Sequence, residues 1–384
     1  MAPEPKLFSP VTLGGKTKPI QLKHRVSMAP LTRLRAGDPG VQPDFAAVYY
    51  GQRATDGGLI IAEATNITPQ GRGYYGSPGI FNEDQIAAWK PITDAVHAKG
   101  GVIFLQLWHT GRIGHPLLQP NGELPVSSST NMPVDEKRAV PTKDGRSPLV
   151  PPRALETHEI ALVCQDYRRA AENAIAAGFD GVEVHAANGY LLEQFLHDGI
   201  NDRSDRFGGS VENRARFLFE VLDEILKSLE SSQVGVRLSP FGMSCGQRDS
   251  DPTTTYSYVF ERLNAYDLAY AHLIEPRAFH YENELTPAEG ATAFFRRVYK
   301  GVLMTASGYE RESSIDVVER GDADLVAIGR YFISNPDLVK RFRLNAKLTP
   351  YDRTSFYLPG EEGYTDYPFL EDETSAEEEA NQSP

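Results

Sequence analysis

Gly178-Phe179-Asp180-Gly181-Val182-Glu183-Val184-His185-Ala186-Ala187-Asn188-Gly189-Tyr190 is the stretch that decides the reading of this chain. Val182 and Val184 alternate with Glu183 and His185, the period of two that marks a strand. Gly189 then turns the chain into Tyr190-Leu191-Leu192-Glu193-Gln194-Phe195-Leu196, which reads as the start of a helix with Tyr190 on its first turn. A strand end thus delivers an imidazole, a carboxamide and a phenol to one place. Two neutral donors can grip a carbonyl oxygen, and a phenol can supply a proton nearby. The plainer alternative makes His185 a satisfied core histidine and Tyr190 a packing aromatic, since strand-end polar residues often only position a loop.

Outward from this segment, short apolar runs alternate with amphipathic stretches along the whole chain. Strands are expected at 25–30, 58–64, 101–107, 179–185, 234–239, 268–274, 302–306 and 325–330. Helical patterns separate them, at 83–99, at 157–177 and most clearly at 211–229. There Phe217, Leu218, Val221, Leu222, Ile225 and Leu229 form an i, i+3/i+4 stripe. The last helix is expected to begin at Asn335-Pro336, a capping residue followed by proline. This series of strand–helix units predicts a single (β/α)8 barrel, an α/β fold of the TIM type. A doubly wound open sheet is the competing fold. Its glycine fingerprint is matched only by Gly71-Arg72-Gly73-Tyr74-Tyr75-Gly76, which leads into Ser77-Pro78-Gly79 rather than into a helix. Gly14-Gly15 reads as the turn of an N-terminal hairpin closing the barrel floor. The connection from 108 to 156, rich in proline, serine and glycine, is long for a compact domain and is expected to form part of the active-site rim.

Composition excludes several partner classes. The net charge of −13 is concentrated at one end, where nine acidic residues and no Lys or Arg fall between Glu361 and Pro384. Removing them leaves 39 basic against 43 acidic residues, a body near −4 with no basic stripe for nucleic acid. Residues 1–370 are therefore expected to form the barrel and 371–384 a disordered acidic tail. Cys164 and Cys245 are too few for a disulfide framework or a cluster, and Cys164 reads as a small buried hydrophobe. Residues 1–6 lack the apolar core of a signal peptide, and no run approaches membrane-spanning length. The expectation is a cytoplasmic protein, monomer or homodimer, acting on a small molecule.

In such barrels the chemistry gathers at the C-terminal strand ends, and here those ends carry a coherent polar set. The first ends in Met28-Ala29-Pro30-Leu31-Thr32, the second in Glu63-Ala64-Thr65 and the third in Gln106-Leu107-Trp108. The fourth supplies His185 and Asn188, and the fifth carries Arg237 on an apolar strand. Ser307-Gly308 and Gly329-Arg330 end the last two, where barrels often bind phosphate through backbone N–H groups and an arginine. A phosphate site, an amide, an arginine and a hydroxyl around one hole suit a flavin mononucleotide.

The chain resembles the old yellow enzyme family of FMN-dependent ene-reductases, the group that includes pentaerythritol tetranitrate, N-ethylmaleimide and oxophytodienoate reductases. The segments that carry the resemblance are 28–33 (MAPLTR), 106–112 (QLWHTGR), 185–190 (HAANGY), 203–216 (RSDRFGGSVENRAR), 328–330 (IGR) and 363–368 (GYTDYP). The resemblance implies that Pro30, Thr32, Ala64, Gln106, Arg237, Ser307, Gly308, Gly329 and Arg330 bind FMN. It implies that His185 and Asn188 hold the substrate carbonyl and that Tyr190 donates the proton. Trp108, Tyr74 and Tyr357 would shape the pocket. The reaction implied is ping-pong reduction of the C=C bond of an α,β-unsaturated carbonyl compound, with NADPH or NADH as hydride donor and no metal. Asn188 stands where many relatives carry a second histidine, and both can donate to an oxygen. Ser307-Gly308 departs from the usual small pair.

Three other readings compete. A flavin-free aldolase or isomerase would need a strand-end lysine or carboxylate base, but Lys300 precedes its strand and Glu63 is the only acid of note. A flavin-binding protein without turnover could use the acidic tail to recruit a partner. A zinc site from His109, His115 and His185 lacks the accompanying carboxylate–histidine helix motif.

Overall fold

A computed structural model describes residues 3–14, 17–132, 138–246, 248–277 and 284–372. Its parallel strands close a barrel in chain order. They are β1 (Val26–Met28), β2 (Leu59–Asn66), β3 (Val102–Trp108), β4 (Gly181–Ala186), β5 (Val234–Leu238), β6 (Tyr270–Ile274), β7 (Leu303–Ala306) and β8 (Leu325–Ile328). The helices are α1 (Phe45–Arg53), α2 (Glu83–His97), α3 (Thr157–Ala176), α4 (Leu191–Leu196), α5 (Val211–Ile225), α6 (Pro252–Leu263), α7 (Ala291–Arg296), α8 (Arg311–Glu319), α9 (Arg330–Ser334) and α10 (Leu338–Leu344). All eight expected strands are present, which makes this a (β/α)8 barrel. Strand residues are buried on both faces because helices cover the outside and side chains fill the inside.

Strand alternation sorts the core into two clusters. Val182 and Val184 of β4 face outward with Val163, Tyr167 and Ala170 of α3 and Leu218 and Leu222 of α5. Leu59, Ile61, Phe104, Tyr270, Met304 and Leu325 fill the interior near the strand starts. Leu13 and Leu22 join them from an antiparallel hairpin of Val11–Leu13 and Ile20–Leu22, which plugs the floor as expected. Gly14 of its turn has φ +66, while Gly15 lies outside the described residues. With the floor closed by apolar groups, polar side chains collect at the other end.

Three boundaries differ from the sequence reading. The helix expected at 211–229 ends at Ile225, though Leu229 is still buried on the same side. Tyr190 is the capping residue of α4 rather than part of its first turn. The last helix begins at Leu338, not at Pro336. Asn335 does not cap it, because its Oδ1 accepts from the Thr349 N–H at 2.8 Å and its Nδ2 donates to Tyr331 and Thr349 carbonyls. The 108–156 connection carries more structure than its composition suggests, including an antiparallel hairpin of Ala139–Thr142 and Gly145–Pro148. Residues 373–384 of the acidic tail lie outside the described residues, and no described helix is long and apolar enough to cross a membrane.

Candidate active site

The turn from β4 to α4 is held from several sides, and this fixes where His185, Asn188 and Tyr190 sit. Asn188 (φ +59) and Gly189 (φ +78) both adopt left-handed backbone. Glycine is required at 189, where a Cβ would lie 2.6 Å from the Cys245 Cβ. Beneath the turn, Glu193 accepts from the Gly189 N–H at 2.5 Å and from the hydroxyls of Ser239 and Tyr256, each at 2.6 Å. Ser239 Oγ in turn accepts from the Asn188 N–H at 2.7 Å. Burial is the main force that pushes the Glu193 carboxyl up to about 7, against the pull of those donors.

Two cavities open at the C-terminal strand ends. One, of about 460 Å³, is lined by Pro30, Thr32, Asn188, Arg237, Ser307, Gly308, Gly329 and Arg330, and roofed by Tyr351, Phe356 and Tyr357. The other, of about 810 Å³, is lined by Tyr74, Trp108, Tyr190, Arg138, Arg146 and Pro141. Thr32 and Tyr357 belong to both, so the two spaces meet above β1. Tyr357 is 62% exposed and stands at the rim. Ala64, Gln106 and His185 line neither cavity directly, being buried just beneath. Ala64 lies within an irregularity in the β2–β3 register between Ala62 and Thr65.

Aromatic packing ties the fourth strand end to the larger cavity. The Tyr190 ring meets Trp108 edge-on at 4.9 Å and His185 at 5.1 Å, and Trp108 stacks on Tyr74 at 5.3 Å. The Tyr190 and Tyr74 hydroxyls are 3.2 Å apart. Burial first, then Tyr74 and Cys245, hold the Tyr190 phenol well above its ordinary value, so at neutral pH it carries its proton. Burial, with the charge of Arg237 and then His272, holds His185 far below the usual imidazole range, leaving it neutral. A neutral imidazole donates one N–H and accepts at its other nitrogen.

The roof is fastened by arginines whose part the sequence did not reveal. Arg33 donates to the Phe356 and Gly363 carbonyls at 3.0 and 2.7 Å, and Arg35 to the Gly360 and Glu362 carbonyls, both at 2.8 Å. Arg33 also lies over the Tyr364 ring, which stacks on Tyr49 at 3.8 Å. This explains why a motif far down the chain, 363–368, accompanies the barrel motifs. Arg330 donates to the Tyr351 hydroxyl at 3.0 Å beneath the same roof. Ser307 has φ +87, and its Oγ donates to the Arg277 carbonyl at 2.6 Å, so its hydroxyl is engaged with the neighbouring loop.

The rival assignments find other uses. Glu63 accepts from the Arg33 N–H at 3.1 Å and from Gln42 Nε2 at 2.8 Å, a buried bracing role. His109 and His115 each accept a local backbone N–H through Nδ1, from Gly111 and Leu117. Gly71-Arg72-Gly73 is loop, with Gly73 so close to the Ile113 carbonyl that a Cβ would stand 2.0 Å away. Arg138 and Arg146 were missed, although Asp144-Gly145 is a hairpin-turn signal that could have located their ribbon. Glu183 and His272 were missed as well. They lie under the cavities, joined by a 2.8 Å contact between His272 Nδ1 and Glu183 Oε2.

The site fits a flavin on observations of its own atoms. His185 Nδ1, Asn188 Oδ1 and Arg237 Nε are buried without a hydrogen-bond partner. Buried polar atoms are normally satisfied, so these are open to a ligand. A polar groove running from Asn188 and Arg237 to Ser307-Gly308 and Arg330 offers an amide, a fixed charge and a phosphate-binding end in sequence. A closed parallel barrel with this set at its mouth defines a flavin-dependent oxidoreductase. The profile of the NADH:flavin oxidoreductase / NADH oxidase family matches residues 6–348, and the chain belongs to that family, the old yellow enzyme group. It is 49% identical to 12-oxophytodienoate reductase 1 of Oryza sativa subsp. japonica over 368 residues, 95% of this chain and 93% of the relative. Morphinone reductase superposes with a TM-score of 0.90 at 45% identity, covering 97% of this chain and 98% of that one. An old yellow enzyme homologue from Zymomonas mobilis gives 0.89 at 39%, covering 95% and 100%. The protein uses FMN and a reduced nicotinamide donor.

Proposed function

We propose that this protein reduces the C=C bond of α,β-unsaturated carbonyl compounds, with His185 and Asn188 holding the carbonyl oxygen and Tyr190 protonating Cα. One observation carries the reading: a carboxamide and a protonated phenol from one strand end line the cavities that share Thr32, with a neutral imidazole buried 5.1 Å from the phenol ring. Relatives named as 12-oxophytodienoate reductase and morphinone reductase support the substrate class. Pro30, Thr32, Ala64, Gln106, Arg237, Gly308, Gly329 and Arg330, with the backbone of Ser307, would hold FMN, which when bound would supply at the substrate Cβ a hydride drawn from NAD(P)H.

The protein residues supply the rest. Hydrogen bonds from His185 and Asn188 strengthen as negative charge moves onto the carbonyl oxygen, the logic of an oxyanion hole. Burial keeps His185 from charging, so it donates one hydrogen bond to that oxygen rather than surrendering a proton to it. Tyr190 delivers its proton; its oxygen lies 3.2 Å from the Tyr74 hydroxyl, and the charge of Arg138 favours the phenolate left behind. Trp108 and Tyr74 wall the pocket with flat apolar faces suited to a planar enone. Arg237 sets a fixed positive charge at the cavity wall. We place the reaction in the cytoplasm, a setting supported by two free, buried cysteines, Cys164 and Cys245.

The test is direct. Purified protein should be yellow, and NADPH oxidation should depend on added cyclohexenone and yield cyclohexanone. A yellow protein that oxidises NADPH no faster with cyclohexenone than without it would refute the enone assignment.

A further inference from the structure

We propose that Glu183, braced by His272, is a positioning residue that locks the Gln106 carboxamide in one orientation, so that its oxygen is the end presented to the flavin pyrimidine ring. The proposal rests on the assignment of Gln106 to the flavin. Glu183 and Gln106 are register partners on β4 and β3, both turned into the barrel. Gln106 Nε2 donates to Glu183 Oε1 at 2.7 Å. On the far side, His272 Nδ1 lies 2.8 Å from Glu183 Oε2. On β5 the register partner of Glu183 is Gly235, whose missing side chain leaves room for the Tyr270 ring of β6, while His272, two residues further along β6, is in register with Arg237. Glu183 and His272 are fully buried.

The chemistry fixes the amide. The two ends of a carboxamide have nearly the same shape, so packing alone seldom chooses between them. An ionised carboxylate can only accept. It must therefore face the NH₂ end of Gln106, since the flipped amide would oppose two oxygens in a water-free interior. Burial works to raise the Glu183 carboxyl, but His272, Arg237 and Gln106 outweigh it and the group stays ionised. With both carboxylate oxygens engaged from opposite sides, Glu183 cannot swing away. Gln106 Oε1 is then the end left for the flavin N3–H, and the ring is recognised by an acceptor of fixed direction.

The test reads the flavin proton rather than turnover. Holoenzyme carrying ¹⁵N-labelled FMN is followed by NMR for hydrogen exchange at N3–H. Loss of the hydrogen bond from N3–H to the Gln106 oxygen should speed that exchange roughly tenfold in Glu183→Gln, where residue 183 no longer dictates the amide. His272→Leu should do the same, and His272→Asn, which restores a donor near the Nδ1 position, should return it toward wild type. A folded Glu183→Gln holoenzyme with wild-type exchange overturns the proposal, as does failure of Asn to improve on Leu at 272. Should Glu183→Gln not fold, the His272 pair decides on the same criterion. Wild-type N3–H exchanging as fast as in free FMN would instead overturn the Gln106 assignment beneath the proposal, and a wild-type protein without flavin would overturn the reading of the site.

Discussion

Replacing Tyr190 by phenylalanine separates proton delivery from packing because the structure gives its ring and its hydroxyl different tasks. The ring is wedged among Trp108 at 4.9 Å, His185 at 5.1 Å and Tyr74 at 6.5 Å, contacts that phenylalanine preserves. The hydroxyl makes a 3.2 Å bond to Tyr74, whose loss should cost about 1 kcal/mol of stability. Proton transfer from a placed side chain is worth roughly 10²–10⁴-fold, so the oxidative half-reaction with cyclohexenone should slow on that order. The reductive half-reaction with NADPH delivers no proton to carbon and should be nearly unchanged. Stopped-flow absorbance resolves the two. A nitroalkene, whose anion survives long enough to be protonated by water, should lose far less than cyclohexenone. Equal slowing of both halves would show that the phenol shapes the pocket rather than protonating substrate.

Three further outcomes follow from the same geometry. Arg330→Ala should purify with less bound FMN and recover activity on adding it, because an arginine–phosphate contact is charge-assisted; full occupancy after gel filtration would rule out Arg330 as the phosphate ligand. Titration with a para-substituted phenol should raise a long-wavelength charge-transfer band that shrinks in His185→Ala and Asn188→Ala at constant flavin content; wild-type affinity in the double variant would remove both from the oxygen-binding site. Burial lifts Glu193 to about 7 in the folded state from an ordinary 4.5, so the folded protein holds a proton that the unfolded chain has released between those values. Stability should therefore fall as pH rises through that window, by about 3 kcal/mol relative to Glu193→Gln. Denaturation of both proteins across this range measures it, and a pH-independent difference would show that Glu193 is ionised throughout.

The barrel was legible because its signals are local. A strand buried on both faces reads as an apolar run, a helix as a stripe, and eight such pairs in series leave few topologies. The strand-end residues were legible for a related reason. Once the strands are placed, their C-terminal ends must share one mouth, so Thr32, Asn188, Arg237, Gly308 and Arg330 meet whatever the details of the loops. What failed locally was capping. Asn335-Pro336 has the residue types of a helix start, but Thr349 claims the Asn335 side chain and the helix waits until Leu338.

The less legible part of the site is held by partners distant in sequence. Glu183 shares the alternation that marked His185, so its inward direction was readable from Val182 and Val184 alone. Its partners were not. Gln106 is 77 residues away and His272 is 89, and they meet Glu183 only because β3, β4 and β6 take their places around the barrel. Arg33 is in the same position: the residue type is visible in the first strand-end motif, while its task of fastening the Phe356 and Gly363 carbonyls depends on where the chain finally returns. Periodicity assigns a side chain to a face; register and closure choose its neighbours there. Residues proposed to touch substrate could be assigned from position, whereas those that orient them required the closed barrel.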